Sequence, residues 1–193
     1  METGILPPDL RNIEQLFTGD ARYSVPKYQR SFAWGSDEIE ELWEDLAFAV
    51  ERQSDYFLGT LVLHRKPTAS TEIIDGQQRL ACVSMIFCAI RNVFRAARDP
   101  RGDQLFGAFL GARDFTREAP VNAKLVLNNV NNDIYVRYVL ESQNLDDIDR
   151  ALKDKTLHES NKLLLQAYRY FLKRIADEVT ARGTDADDYL VPL

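Results

Sequence analysis

The clearest pattern of hydrophobic and polar positions lies in two stretches, and both predict helices. From residue 39 to residue 50, apolar residues recur at the spacing of one helix face, and carboxylates fill most of the positions between them. This spacing predicts an amphipathic helix that begins at a Ser36 cap and turns an acidic face to solvent. Residues 77–98 are apolar on nearly every side, which predicts a long helix buried in the core.

Two apolar runs that precede the long helix predict strands. Residues 56–63 are apolar on both faces, which predicts a central strand. Gly59 inside this run indicates a bulge or a close approach by another group. Residues 72–75 follow after a short polar segment, so a hairpin is the simplest connection between the two strands. The second strand ends at Asp75, which is the expected N-cap of the long helix.

The other elements follow from weaker patterns. They are a short helix at residues 10–17, an extended piece at 23–25, a helix at 105–112, a short strand at 124–127, a helix at 131–142, a charged loop at 143–158 and a final helix from a Ser160 cap to residue 182. Together the elements predict an α/β (α+β) fold with a small mixed or antiparallel sheet and a helical C-terminal half. We assign residues 1–120 to the core, 121–182 to a mostly helical continuation of the same domain, and 183–193 to a linker.

Composition and charge narrow the classes of function. The chain of 193 residues has a net charge of -6 and a pI near 5.0, which argues against a protein that coats nucleic acid without sequence preference. No run of eighteen apolar residues and no signal-peptide pattern is present, so we expect no membrane association and a cytoplasmic location. Cys82 and Cys88 fall inside the predicted buried helix, where reduced thiols are expected.

The turn at residues 75–79, Asp75-Gly76-Gln77-Gln78-Arg79, is the strongest candidate for a binding site. Gly76 permits a sharp turn or the close approach of a ligand. Free backbone N–H groups at a helix N-terminus, with an arginine one turn further on, form a chemically sensible phosphate site. The alternative is a capped helix whose two glutamines and arginine face solvent, and the residues alone do not decide between these interpretations.

A second candidate is the segment 26–34, the aromatic-basic loop, which contains three aromatic residues, two cations and an amide. This mixture suits stacking on a nucleic-acid base or an arginine held between aromatic faces. A structural hinge would contain the same residues, so both interpretations stay open. A further basic cluster, Arg91, Arg95, Arg98 and Arg101, is better explained by cations at the C-terminal end of the long helix.

Common catalytic motifs are missing from the sequence. It contains neither the P-loop with its lysine nor the Gly-x-Gly-x-x-Gly dinucleotide motif. Its two histidines, His64 and His158, are far apart, and its two cysteines cannot build a structural zinc site by themselves. The acidic face of the first amphipathic helix could bind a metal ion, but a solvated face is the simpler explanation.

Three motifs occur in the order and spacing of a known family, at residues 25–34, 57–59 and 74–80. In these motifs the chain resembles the DGQQR-motif domain at the N-terminus of GmrSD-like, modification-dependent restriction enzymes. Related anti-phage proteins of the SspE type, which sense phosphorothioate DNA, contain a similar domain. The resemblance implies a ParB/sulfiredoxin-like core that binds and hydrolyses GTP or another nucleoside triphosphate, with Mg²⁺ as the expected cofactor. It also implies a C-terminal nuclease domain, and we expect this chain to be the N-terminal part of such a protein rather than a subunit whose partner supplies the nuclease.

The same resemblance implies roles for individual residues. The residues implied in catalysis are Asp75, Gln78 and Arg79, with Asp75 also positioning Mg²⁺ or a water. The residues implied in nucleotide binding are Gly76, Gln77, Gln78, Arg79, Gln29, Arg30 and Gly59. The residues implied in sensing modified DNA are Pro26, Lys27, Tyr28, Gln29 and Arg30.

Two alternatives of other classes stay open. The chain could be a DNA-modification sensor without significant NTPase activity of its own, in which Pro26 and Phe32 add apolar contacts beside Arg30. Apolar surface next to a cation would favour a phosphorothioate, because sulfur is less hydrated than oxygen. The chain could also be a structural dimerisation module, which its helix-rich second half allows.

Overall fold

The computed structural model describes residues 8–17, 19, 21–66, 70–112, 121–142, 144–183, 186 and 190. Its helices are α1 (Ile13–Phe17), α2 (Ser36–Glu51), α3 (Gln77–Ala96), α4 (Arg101–Leu105), α5 (Asn132–Ile134), α6 (Leu145–Leu152) and α7 (Glu159–Arg182). Two π-helical segments, Phe106–Leu110 and Tyr135–Glu141, directly continue α4 and α5. No helix in the described part of the chain is long and apolar enough to cross a membrane.

The strands form one mixed sheet and one short hairpin. They are β1 (Tyr23–Ser24), β2 (Val62–Arg65), β3 (Thr71–Asp75), β4 (Gly111–Ala112), β5 (Asn122–Ala123) and β6 (Leu125–Val126). The larger sheet has the order β2-β3-β1-β6, and β4 pairs only with β5 among the described strands. Strand β1 runs parallel to β3 and β6, whereas β2 and β3 form the predicted antiparallel hairpin. The predicted fold class, α/β with a small mixed sheet, is confirmed.

Helix α3 lies at the centre of the core, as its apolar pattern predicts. All of residues 80–91 are buried, and side chains of the sheet, α2 and α7 share the same core, among them the fully buried Ile73, Trp43 and Phe171. Burial raises the pKa of both thiols on this helix, to about 11 for Cys88. The cysteines therefore stay protonated and unreactive at neutral pH, in agreement with the prediction of buried, reduced thiols.

The central strand predicted at residues 56–63 is wrong in extent and in position. Only Val62–Arg65 forms a strand, it lies at the edge of the sheet, and its four residues are exposed. Gly59 has a φ of +100°, which lies outside the extended region and prevents a continuous strand through this position. The apolar run before β2 is instead a surface segment, in which Phe57 is 72% exposed.

Two predicted serine caps are also wrong. Gly35, not Ser36, precedes α2, and its backbone N–H donates to the Glu38 carboxylate at 2.9 Å. His158 precedes α7, and its ring Nδ1 accepts the backbone N–H of Ser160 at 3.2 Å. In both helices a side chain other than the predicted serine accepts a backbone N–H group at the N-terminus.

The charged loop predicted at residues 143–158 is wrong, because α6 occupies half of it. Asn144 caps α6 by accepting the backbone N–H of Asp146 at 2.9 Å, and Ile148 anchors the helix in the core at 1% exposure. A single fully buried residue in a short, charged helix gives little periodic signal. The helices predicted at 105–112 and 131–142 are present, but each is π-helical over much of its length.

The remaining elements agree with the sequence pattern, with small differences in their bounds. The short first helix, the extended piece at 23–25, the strand at 124–127 and the final helix are confirmed. Within the predicted linker, Ala186 and Leu190 are buried, and Leu190 packs in the core. These two positions therefore belong to the packed domain. The other predicted boundaries stay predictions.

Candidate functional site

The turn between β3 and α3 is built on a glycine in the left-handed conformation. Gly76 has a φ of +95° and is the N-cap of α3, so the cap expected at Asp75 is wrong. A Cβ atom at this position would collide with the Leu61 side chain. The first hydrogen bond of the helix joins the Leu80 N–H to the Gly76 carbonyl at 3.1 Å. The N–H groups of residues 77–79 therefore have no partner within the helix.

Arg79 joins this turn to the surface segment before β2. Its guanidinium donates to the carbonyl oxygens of Leu58 at 2.9 Å and Thr60 at 2.8 Å, and Nη2 lies 3.4 Å from the Asp75 carboxylate. Gly59 lies beneath the guanidinium, where a Cβ atom would collide with Nη1. The close approach predicted at Gly59 is confirmed, and the approaching group is Arg79.

Gln78 is buried and holds the aromatic-basic loop against α3. Its Oε1 accepts the backbone N–H of Ala33 at 2.9 Å, and its Nε2 donates to the Ser31 carbonyl at 3.3 Å. Gln29 of the loop donates to the Ile74 carbonyl of β3 at 3.0 Å. The two motifs are therefore direct neighbours. The alternative in which the glutamines of the turn face solvent is wrong.

Two buried asparagines, which the sequence analysis missed, hold the same loop from the other side. Asn128 donates to the Gln29 carbonyl at 3.2 Å. Asn131 accepts the backbone N–H of Phe32 at 2.7 Å and donates to the Asn161 side chain of α7 at 2.7 Å. The signal was the asparagine-rich stretch at residues 128–132, because buried amides are commonly used to satisfy the backbone of an irregular segment.

The anchored loop exposes three long side chains and the small Ala33 to solvent. Tyr28 is 75% exposed, and Lys27 and Arg30 are exposed as well. Pro26 and Phe32 are buried. Neither of these two residues can offer its apolar surface to DNA in this conformation, contrary to the expectation. The candidate contact surface of the loop is therefore one tyrosine between two cations.

Only a narrow cleft remains between the loop and α3. Arg30, Gln77, Gln78 and Asn128 help to line it, and its free volume is about 10 Å³, which is roughly the space that one water needs. A triphosphate does not fit inside this cleft. Phosphates at the turn would lie on its outer side, beside Asp75, whose side chain is 66% exposed.

The acidic groups of the described residues do not form a metal site on their own. No three His, Cys, Asp or Glu side chains among them are grouped closely enough to hold an ion. Protein sites for Mg²⁺ with nucleotides commonly use one or two carboxylates together with the phosphate oxygens. The single exposed carboxylate of Asp75 fits such a shared site, in which the nucleotide supplies the other ligands.

The basic cluster at the end of α3 exposes Arg98, whereas its other three arginines are bound within the fold. Arg91 is fully buried. Arg95 pairs with Asp103 at 2.6 Å, and Arg101 pairs with Asp99 at 2.6 Å. These guanidinium groups are therefore engaged within the fold, in agreement with a structural rather than a nucleic-acid-binding role.

Comparison with known proteins was made on the whole chain. The family described as "GmrSD restriction endonuclease, N-terminal domain" matches residues 13–190. The matched region includes both the turn at residues 75–79 and the aromatic-basic loop. A search of curated proteins gave no match. Because the family match covers most of the chain, this protein belongs to the family of GmrSD restriction endonuclease N-terminal domains.

Proposed function

We propose that this domain binds and hydrolyses a nucleoside triphosphate at the turn of residues 75–79 and thereby regulates DNA cleavage. Membership of the GmrSD family gives the domain a role in a restriction system. The proposal of triphosphate binding and hydrolysis rests on one observation. The N-terminus of the 20-residue helix α3 brings together free backbone N–H groups, the Arg79 guanidinium and the exposed Asp75 carboxylate.

Each of these groups has a role in phosphoryl transfer. The free N–H groups and the positive end of the helix dipole bind phosphate oxygens. Asp75 would hold Mg²⁺ when this ion is bound, or would orient the attacking water. The Nε–H of Arg79 has no partner among the described residues, so this side chain can bind a phosphate oxygen while it keeps its bonds to Leu58 and Thr60.

Gln78 takes a positioning role in this proposal. Both ends of its amide are already bonded, to Ala33 and to Ser31, and the side chain is 6% exposed. It therefore fixes the aromatic-basic loop beside the turn and does not contact the transferred phosphate. Arg30, which is exposed at the rim of the narrow cleft, supplies a second cation near the phosphates. With no P-loop lysine in the sequence, these arginines would neutralise the developing charge, and Mg²⁺, when bound at Asp75, would supply further positive charge.

Calorimetric titration with ATP, GTP and CTP, each with and without Mg²⁺, tests the proposal. We expect at least one triphosphate to bind in the presence of Mg²⁺, and Arg79→Gln to weaken this binding about tenfold or more, because it removes a charge-assisted contact. Arg95→Gln is the matched control, since Arg95 lies on the same helix as Arg79 but pairs with Asp103 of α4, away from the turn. Failure of all three triphosphates to bind would rule out the proposal.

A second function, sensing of modified DNA, is favoured by the exposure of Tyr28 between Lys27 and Arg30 on an anchored loop. The tyrosine ring can stack on a base while the cations contact phosphates. With Pro26 and Phe32 buried, the exposed Tyr28 ring is the apolar surface beside the cations that would favour sulfur over oxygen. We therefore expect the domain to bind a phosphorothioate duplex more tightly than an unmodified duplex of the same sequence at the same salt concentration, and Tyr28→Ala to reduce the difference. Equal affinities for both duplexes would argue against sensing by this domain.

A further inference from the structure

A separate cleft lies between the π-helical segment Tyr135–Glu141 and α6. Its volume is about 290 Å³, and it is lined by Arg137, Tyr138, Ser142, Asp147, Arg150 and Ala151. The Arg91 side chain of α3 donates a hydrogen bond to the π-helical segment. Along α3, Arg91 lies roughly 20 Å from Gln78 at the turn. The cleft is therefore distinct from the site proposed for triphosphates.

Two energetically unfavourable features shape one wall of this cleft. The first is the π-helix, a rare conformation that occurs often at functional sites. The second is Arg91, which is fully buried and donates to the carbonyl oxygens of Val139 at 3.1 Å and Leu140 at 2.7 Å. Within the described part of the chain Arg91 has no carboxylate partner, and a buried guanidinium without one costs free energy. Both features fix the segment that carries Arg137.

The cleft contains an arginine without a counter-ion. Arg137 stacks over the Tyr138 ring at 5.1 Å and makes no ion pair with any described residue. On the opposite wall, Arg150 is paired with Asp147 at 3.2 Å, and Asp147 also accepts the hydroxyl of Ser142 at 3.4 Å. The lining therefore holds two guanidinium groups and one carboxylate, and its N–H donors outnumber its acceptors.

We propose that this cleft binds a phosphate group, held by Arg137 and Arg150 with the Ser142 hydroxyl as a further donor. Guanidinium groups bind phosphate oxygens through two parallel hydrogen bonds. Arg137 is exposed and donates no hydrogen bond to any described residue. One net positive charge is sufficient for a single phosphate group, whereas binding along several phosphates needs many cations. The phosphate can belong to a free nucleotide or to a DNA strand, since both present the same oxygens.

Chemical-shift titration of the ¹⁵N-labelled domain tests this site. The probes are inorganic phosphate, a nucleoside monophosphate and a short unmodified DNA duplex. We expect the amides of residues 137–151 to shift, and Arg137→Gln to weaken binding about tenfold or more. The matched control is Arg52→Gln, because Arg52 also stacks on an aromatic ring, at 4.3 Å from Phe48, but lies outside the cleft. The control should keep the affinity of the unmodified protein.

The three probes separate the sources of the phosphate. If only inorganic phosphate and the monophosphate shift these amides, the site binds a free phosphate or nucleotide. If the duplex shifts them at lower concentrations than the two small probes do, the site binds DNA. The site is overturned if none of the probes shifts residues 137–151, or if Arg137→Gln binds as tightly as the unmodified protein. A repeat with Arg79→Gln, which removes the phosphate-binding cation of the turn and leaves the cleft intact, shows whether the shifts arise from the turn instead.

Discussion

Asp75→Ala is expected to lower triphosphate turnover at least about 100-fold while the fold stays intact. Among the described residues the Asp75 carboxylate is the acidic group that pairs with the Arg79 guanidinium. No cluster of metal-ligating side chains in the described part of the chain could take over its role toward Mg²⁺ or a water. Its side chain is 66% exposed and has one ion pair, at 3.4 Å to Arg79, so the free energy of unfolding should fall by less than about 1 kcal/mol. Phosphate release and thermal unfolding, measured on the same preparation, check both expectations.

A matched control separates the role of Asp75 from the simple loss of a negative charge. Asp37→Ala removes an exposed carboxylate from the first turn of α2, which is another helix N-terminus, and should leave turnover unchanged. Unchanged turnover in Asp75→Ala would remove this residue from the mechanism. If both variants lose activity equally, the effect belongs to net charge and not to the turn.

The long elements of the fold could be predicted because their signals are local. The apolar positions of α2, α3 and α7 recur within each helix, and the hairpin of β2 and β3 follows from two neighbouring runs in the sequence. The position of the turn at residues 75–79 could also be predicted locally, because a strand pattern ends there and a helix pattern begins. The family resemblance then implied that this turn, among the surface turns, is the candidate nucleotide site.

The contacts that complete the site could not be predicted, because they join segments far apart in sequence. Arg79 fills the space above Gly59, and Asn131 connects Phe32 to Asn161. A local pattern also cannot show whether an apolar run is a buried strand or a surface segment. Residues 56–63 have the composition of a central strand, but the left-handed Gly59 and the hydrogen bonds from Arg79 keep them outside the sheet.

The structure divides the residues of the turn into two groups that the motif alone does not separate. Gln78 is buried and bonded at both ends of its amide, whereas Asp75 is exposed. Substitution of Gln78 would therefore disturb the aromatic-basic loop and change activity through structure. Substitution of Asp75 changes the chemistry with little change in packing, so it is the more direct test of hydrolysis.

Gly76→Ala is expected to lower the free energy of unfolding by about 2–3 kcal/mol. Gly76 has a φ of +95°, where a residue with a Cβ atom is less stable by about 1–2 kcal/mol. The added methyl group would also collide with the Leu61 side chain, and the repacking of this contact costs about 1 kcal/mol or more. Chemical denaturation should show a lower midpoint with an unchanged slope, and the melting temperature should fall by about 5–10 °C.

Gly19→Ala is the control that isolates the contact with Leu61. Gly19 also has a positive φ, +69°, but a Cβ atom there meets nothing within 4 Å, so this variant should lose only the backbone contribution of about 1–2 kcal/mol. The difference between the two variants measures how tightly Leu61 packs over the turn. Equal losses would mean that Leu61 moves away freely, and a Gly76→Ala protein as stable as the unmodified one would contradict the left-handed turn on which the phosphate site depends.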